Sequence, residues 1–499
     1  MQKFLQGRVR LAVAIALACG STAAAEVDPA LLAQAQRVGS ADTLIVLDAA
    51  VPTVLLRRDG DYLARRRNLV DTLRATADVS QESLRRWLDH NGVAYRSFWI
   101  VNMIQAELTP AQIGDLAARS DVARLVENRA QPLRMPAPEP SMQPEAVESV
   151  EWGVSKIRAP QVWALGITGQ GVTVAGQDTG IRWTHNALKP HYRGWNGSVA
   201  DHNYNWHDAI HVMNSSCPAD SQQPCDDHGH GTHTMGTMIG DDGAGNQVGV
   251  APGAKWIGCR NMDAGNGTPA SYNECAQWLL APTDLAGSNP DPTKAPDIVS
   301  NSWGCPASEG CTAGNEVKAA IDTLVAGGIL FVAAAGNDGS GCNTIFDQPA
   351  TLDSAFTIGS TTSTDTMSTF SSRGPVTGAS RVKPDVVAPG GSNDGISSHD
   401  VRSATRTSDS AYTTMAGTSM ATPHVTGAAA LMMAVNPALK GDPQRVMDIL
   451  RQTAVPITST QVCGAIPATT FPNPVQGYGR IDALAAVILA DTIFKNGFE

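Results

Sequence analysis

Three short segments constrain this chain more than any other feature: Gln177-Asp178-Thr179-Gly180-Ile181, His230-Gly231-Thr232-His233, and the run from Gly417 through Ser419 to His424. They supply a carboxylate, an imidazole and a hydroxyl, and a fold that uses them together must bring all three to one place. The residues around each segment suit that role. Asp178 follows the apolar, strand-like run Val172–Ala175, and His230 follows Gly229 and opens a helical run through Thr232, Met235 and Met238. Ser419 comes two residues after Gly417, which permits a tight turn, and begins a helix to Val435 rich in small apolar residues. Acyl transfer to an amide needs a hydroxyl activated by a base, an acid that orients the base, and donors for the developing oxyanion. A serine at a helix start offers its own N–H to that charge.

Each fragment has a competing reading. Asp178-Thr179-Gly180 also occurs in aspartic proteases, but that chemistry needs two such aspartates and the triplet occurs once. His228, His230 and His233 form His-x-His-x-x-His, a candidate zinc set for a metal-dependent hydrolase, yet no adjacent carboxylate motif completes it. The expected metal set is therefore none. A non-catalytic chain that binds peptides with the same fold is the remaining alternative.

Along its 499 residues the chain divides into five parts. Lys3, Arg8 and Arg10 precede the apolar run Leu11–Ala18 and Ala23-Ala24-Ala25, which reads as an export signal over 1–25 and implies a secreted product. Residues 26–135 read as a small α+β unit, with a strand at Thr43–Leu47, helical periodicity over Tyr62–His90, strand formers over Val93–Leu108, a helix from Thr109-Pro110 and a last strand at Val122–Val126. A proline-rich linker over 136–150 is the expected processing junction, a catalytic unit spans 151–491, and a short tail covers 492–499. Apolar runs alternate with helical stretches in the catalytic unit, the pattern of a doubly wound α/β sheet. No other apolar stretch reaches membrane-spanning length, so no stable span is expected. A net charge of −11 argues against a nucleic-acid partner. Once the signal is removed eight cysteines remain, an even number that in an exported chain argues for disulfides. Cys217–Cys225 and Cys305–Cys311 each close a short polar loop and are the expected local bridges.

The order Asp, His, Ser and the residues flanking each letter resemble the subtilisin-like serine proteases, the subtilases of peptidase family S8. Asn203-Tyr204-Asn205-Trp206 and the stretch from Val250 to Ile257 resemble the bacillopeptidase-F-like branch. Framework stretches at Thr369–Gly374 and Lys383–Gly390 match the same family. The resemblance implies a doubly wound, mostly parallel sheet flanked by helices, preceded by a ferredoxin-like propeptide that chaperones folding and inhibits in cis. It implies a self-processing, monomeric serine endopeptidase acting on protein or peptide substrates. Asp178, His230 and Ser419 would form the triad and Asn337 the second oxyanion donor. In subtilisin itself, the system in which this magnitude is known, loss of that donor costs roughly 10²–10³ in turnover. Ser302-Trp303-Gly304 matches the segment that pairs with an extended substrate. Asp347 aligns with the base of the first specificity pocket, where a carboxylate favours arginine or lysine; an exposed loop aspartate is the competing reading. No cofactor is required for the chemistry. The loop Asp241–Asn246 binds calcium in many relatives, but Ala187 stands where they place a ligand aspartate, which removes a charged ligand from a hard-cation site.

Overall fold

The computed structural model describes residues 24–51, 61–136, 142–143, 149–213, 215–307, 311 and 316–496. The expected export segment, most of the linker and the end of the tail lie outside them. At the centre is a sheet of seven parallel strands. From one edge to the other they run Trp206–Asp208, Lys255–Arg260, Thr173–Asp178, Ile298–Asn301, Leu330–Ala334, Phe356–Thr361 and Val386–Pro389. Chain order reverses at Thr173–Asp178, with earlier additions on one side and later ones on the other. The carboxyl end of that strand is thus a topological switch point, where crevices form in open α/β sheets.

Alternation along each strand buries both faces. Val174, Ile298, Val332 and Phe356 pack with Met235, Val425, Ala428 and Val487 from the helices His230–Ile239, Thr418–Val435 and Ala483–Asn496. Ala175, Ile257, Val299 and Phe331 pack with Tyr272, Leu279, Ile321 and Leu324 from the helices Pro269–Leu280 and Glu316–Ala326. Strands covered on both sides tend toward unbroken apolar runs, as in Leu330–Ala334 and Val386–Pro389.

The N-terminal unit is a five-stranded sheet in the order Glu26–Val27, Val122–Glu127, Ala41–Leu47, Met103–Leu108, Tyr95–Phe98, with the last four antiparallel as in ferredoxin-like folds. Its central strand is also covered twice. Ile45 and Leu47 face the unit's own helices, while Leu44 and Val46 join Phe98 and Met103 around Ala270 of the larger unit. The helix at Pro110–Ala117 carries the capping box of Thr109 and Gln112.

Two stretches gain detail. The periodic stretch Tyr62–His90 is two helices, Tyr62–Ser80 and Glu82–His90, because the buried Gln81 at the joint donates from its amide to Phe98 O and Asn102 Oδ1, both at 3.0 Å. The final helix spans Ala483–Asn496 and is supported by the Lys495–Asp491 pair at 2.6 Å. The eight cysteines among the described residues are all paired, as Cys217–Cys225, Cys259–Cys275, Cys305–Cys311 and Cys342–Cys463. The two local bridges are those expected. Among the described residues no helix is long and apolar enough to cross a membrane.

Candidate active site

Asp178 is the last residue of the strand at the switch point, and the chain turns away from it at Gly180. Gly180 has φ +107°, and a Cβ there would lie 1.7 Å from the Cys225 carbonyl oxygen, so the turn accepts only glycine. His230 opens the facing helix, and its Nδ1 lies 2.7 Å from Asp178 Oδ1 with both side chains buried. This pair holds the imidazole in one orientation and leaves Nε2 as the outward nitrogen. Nε2 is buried and has no hydrogen-bond partner among the described residues.

A residue that sequence reasoning passed over secures the pair. Asp226 accepts from the N–H groups of His228 (3.0 Å), Gly229 (2.7 Å) and Thr232 (3.0 Å) and from the Thr179 hydroxyl (3.0 Å). One buried carboxylate thereby ties the start of the His230 helix to the loop after Asp178, although burial raises its pKa. An acid in the turn before a helix start was the available signal.

Ser419 is the second residue of the long buried helix and follows Gly417, whose φ of +155° is strained for any side chain. Its hydroxyl donates to Ser302 O at 2.9 Å in this structure. Ser302 answers by donating from its own hydroxyl to Ser419 O at 3.0 Å. That bond has a backbone cause. Pro423, four residues on, has no N–H to give the Ser419 carbonyl, so the helix needs an outside donor at this point. Asn337 is locked by Thr418, whose N–H and hydroxyl donate to its Oδ1 at 2.9 and 3.0 Å. The Asn337 amide nitrogen therefore points into the cleft, where it donates to Arg134 O at 3.1 Å.

Ser302, Trp303, Gly304, Asn337, Asp347, Thr418 and Ser419 line one cleft together with residues 132–134. Trp303 is buried, stacks on Tyr272 at 3.8 Å and donates to Gln177 O at 3.1 Å, so it braces the strand that carries Asp178. Residues 131–132 pair antiparallel with Asn266–Gly267, and Leu133 N–H donates to Gly265 O at 2.7 Å. The backbone partner in the structure is thus 265–267, which sequence reasoning missed, while Ser302–Gly304 line the same cleft. Asp347 is not on an exposed loop: its side chain is 16% exposed, and the neighbouring Gln348 is bridged to Cys305. Burial pushes its carboxyl up to about 6. Asp338, also unforeseen, lines the cleft beside it.

The histidine cluster does not converge. His230 Nδ1 is taken by Asp178, His233 Nε2 lies 3.0 Å from Val401 O, and the His228 and His230 rings are 6.4 Å apart. Burial lowers His233 to about 3, which keeps it a neutral framework residue. Among the described residues no group of three or more His, Cys, Asp or Glu side chains is arranged to hold a metal ion. The Asp241–Asn246 loop does not fit calcium either. Asp242 is engaged by Ala244 N (2.8 Å), Asn246 Nδ2 (2.7 Å) and Tyr412 OH (3.0 Å). The Arg402 guanidinium donates to Asn246 Oδ1 at 2.6 Å, bonds Glu151 at 2.9 Å and lies over the Tyr412 ring. The Arg402 guanidinium thus already supplies a positive charge beside this loop, and Ala187 packs with Val248 and Tyr412.

The structure thus places a buried acid–base pair at the sheet switch point, and a hydroxyl at a helix start beside a carboxamide donor in one cleft. The chain belongs to the subtilase family: the subtilase (peptidase S8) model matches residues 169–479. It is 34% identical over 450 residues to Bacillopeptidase F of Bacillus subtilis (strain 168), covering 85% of this chain and 29% of that protein. It is 30% identical over 319 residues to Subtilisin Savinase of Lederbergia lenta, covering 64% of this chain and 96% of that one. The crystal structure of the epidermin leader peptide processing serine protease of Staphylococcus aureus shares the fold, with a TM-score of 0.65 over 91% of this chain and 100% of that chain at 18% identity.

Proposed function

We propose that this chain is an exported serine endopeptidase, made as a self-processing precursor. The observation that carries the reading is the buried 2.7 Å Asp178–His230 pair at the sheet switch point, with Ser419 and Asn337 lining the adjoining cleft. In this reading the Ser419 hydroxyl turns from Ser302 O, which it meets in this structure at 2.9 Å, to His230 Nε2, a buried nitrogen with no hydrogen-bond partner among the described residues. His230 then removes the hydroxyl proton as Ser419 attacks the peptide carbonyl, and Asp178 stabilises the imidazolium. The oxyanion falls between the Asn337 amide and the Ser419 N–H, which a helix start leaves without an intrahelical partner. His230 returns the proton to the leaving amine, and water releases the acyl group by the same steps. No cofactor takes part in these steps.

Export is supported by the charged start and apolar run Leu11–Ala18, and by four disulfides, which persist in oxidising compartments. Residues 26–135 act in this reading as a folding chaperone and intramolecular inhibitor, with 151–491 as the catalytic unit.

The test compares wild type with Ser419→Ala for reaction with a serine-directed phosphonate and for cleavage of a denatured protein substrate. Wild type is expected to take one label and cut. Label and cleavage that persist in Ser419→Ala would sink the reading, as would a folded wild type that does neither.

A further inference from the structure

The endopeptidase reading leaves open which bond is cut first and what is recognised beside it, and the cleft contains evidence on both. Residues 131–133 run as an extended strand on the 265–267 edge and enter the cleft at Pro132. The next carbonyl, that of Arg134, accepts from the Asn337 amide at 3.1 Å. A carbonyl on that donor sits where an acyl group under attack must sit. The Arg134 side chain enters the same cleft, with Nη1 3.5 Å from Asp338 Oδ1 and 3.7 Å from Asp347 Oδ2. Asp347 Oδ1 is buried without a partner among the described residues, so this wall holds acceptor capacity for a guanidinium.

The chain also changes allegiance at this point. Up to residue 127 its strands belong to the N-terminal sheet, and 131–132 pair with 266–267. Beyond Arg134, Met142–Gln143 pair with Thr413 and Tyr412, and Ser149–Val150 pair with Asn246–Gln247, all within the catalytic unit. A cut between these two sets of pairings severs the covalent link to the N-terminal unit and leaves the new end anchored.

We propose, resting on the endopeptidase reading, that the chain cleaves its own Arg134–Met135 bond and that Asp338 and Asp347 make the cleft select arginine before the cut. This bond lies just ahead of the 136–150 junction that the sequence indicates. In the first step a bond forms between Ser419 Oγ and the Arg134 carbonyl carbon, and the hydroxyl proton passes to His230. The Arg134–Met135 C–N bond then breaks as that proton moves to the Met135 nitrogen. Water adds to the acyl carbon, giving one proton through His230 back to Ser419 Oγ, and Arg134 leaves as a carboxylate. Nothing is oxidised or reduced, and no co-reactant beyond water is needed.

The experiment uses the full-length secreted chain as wild type, Ser419→Ala, Arg134→Leu, Arg134→Lys and Asp347→Asn. Three quantities are read: the N-terminal residue and intact mass of the product, its labelling by a serine-directed phosphonate, and kcat/KM on peptides that differ only in arginine or leucine before the cut. Wild type is expected to begin at Met135, Ser419→Ala to stay intact, and Arg134→Leu to be cut at this bond roughly 10²-fold more slowly, with Arg134→Lys between. Mature wild type is expected to prefer arginine over leucine by roughly 10²-fold, a preference that Asp347→Asn largely loses. A labelled wild type that begins elsewhere, an Arg134→Leu chain cut at the same bond and rate, or a mature enzyme indifferent to arginine overturns the inference while leaving the endopeptidase reading intact. Cutting of Ser419→Ala at Met135 overturns self-cleavage. A folded wild type that takes no label removes both readings, so the two failures are told apart.

Discussion

Ser302 and Pro423 lie far apart in sequence and answer one another across the site. The proline leaves the Ser419 carbonyl without its helical donor, and the Ser302 hydroxyl supplies one at 3.0 Å. Replacing Ser302 by alanine strands a buried acceptor beside the nucleophile. The expected loss is about 1–3 kcal/mol of stability, measured by urea unfolding in a Ser419→Ala background so that autolysis does not interfere. Asp347 gives a second test at this scale. Burial holds its carboxyl at about 6, so it is ionised above that pH and neutral below it. As pH falls through about 6 the cleft loses the Asp347 charge, one of the two carboxylates that attract a guanidinium. The ratio of kcat/KM for arginine over leucine peptides should therefore fall with pH. Taking the ratio cancels the titration of the shared base, and in Asp347→Asn it should stay flat across the same range.

Among the elements, the loop 241–246 is held by a single guanidinium. Arg402, on the strand Val401–Ala404, links Glu151, Asn246 and the Tyr412 ring, and in doing so binds the start of the catalytic unit to its loop and to the adjacent strand. Burial raises the Glu151 carboxyl pKa, opposed by the Arg402 partner that favours its charged form. Removing the guanidinium leaves that carboxylate half-buried and unpaired. Arg402→Ala is expected to lower the melting temperature, and added calcium is expected not to restore it. Calorimetry with and without millimolar calcium decides this; recovery with calcium would show that the loop can still accept the ion.

The two units of the molecule meet over a continuous apolar surface studded with polar contacts. Leu69, Val70, Leu73 and Ile100 belong to the same core as the helices Pro269–Leu280 and Glu316–Ala326. Arg66 is buried in this interface and donates to Gly327 O at 2.7 Å, and Gln277 Oε1 accepts from Trp99 N at 2.6 Å. Burial lowers the Arg66 pKa to about 10, still far above neutral pH, so the charge is retained and held by backbone carbonyls. Arg66→Ala in a full-length Ser419→Ala chain is expected to speed hydrogen exchange in Tyr62–Ser80 without changing it in Thr173–Asp178. Equal exchange in both variants would show that Arg66 does not hold the units together.

The chain's own letters determined the chemistry-bearing segments and the layered α/β plan. Asp178, His230 and Ser419 each depend on conditions met within a few residues: a strand end, a helix start, and a glycine that lets the backbone turn. The apolar runs of the central strands follow from burial on both faces, so they too were legible, as were the two short cysteine loops. The tertiary structure alone decided which distant groups meet. It pairs Cys342 with Cys463 across 121 residues, sets Asp226 between two loops, gives Ser302 to the carbonyl that Pro423 abandons, and seats Arg134 against Asn337. The physical reason is one of range. Turns, caps and periodicity act between near neighbours and leave a local pattern, whereas hydrogen bonds and ion pairs across a site depend on through-space distances that residue spacing does not record.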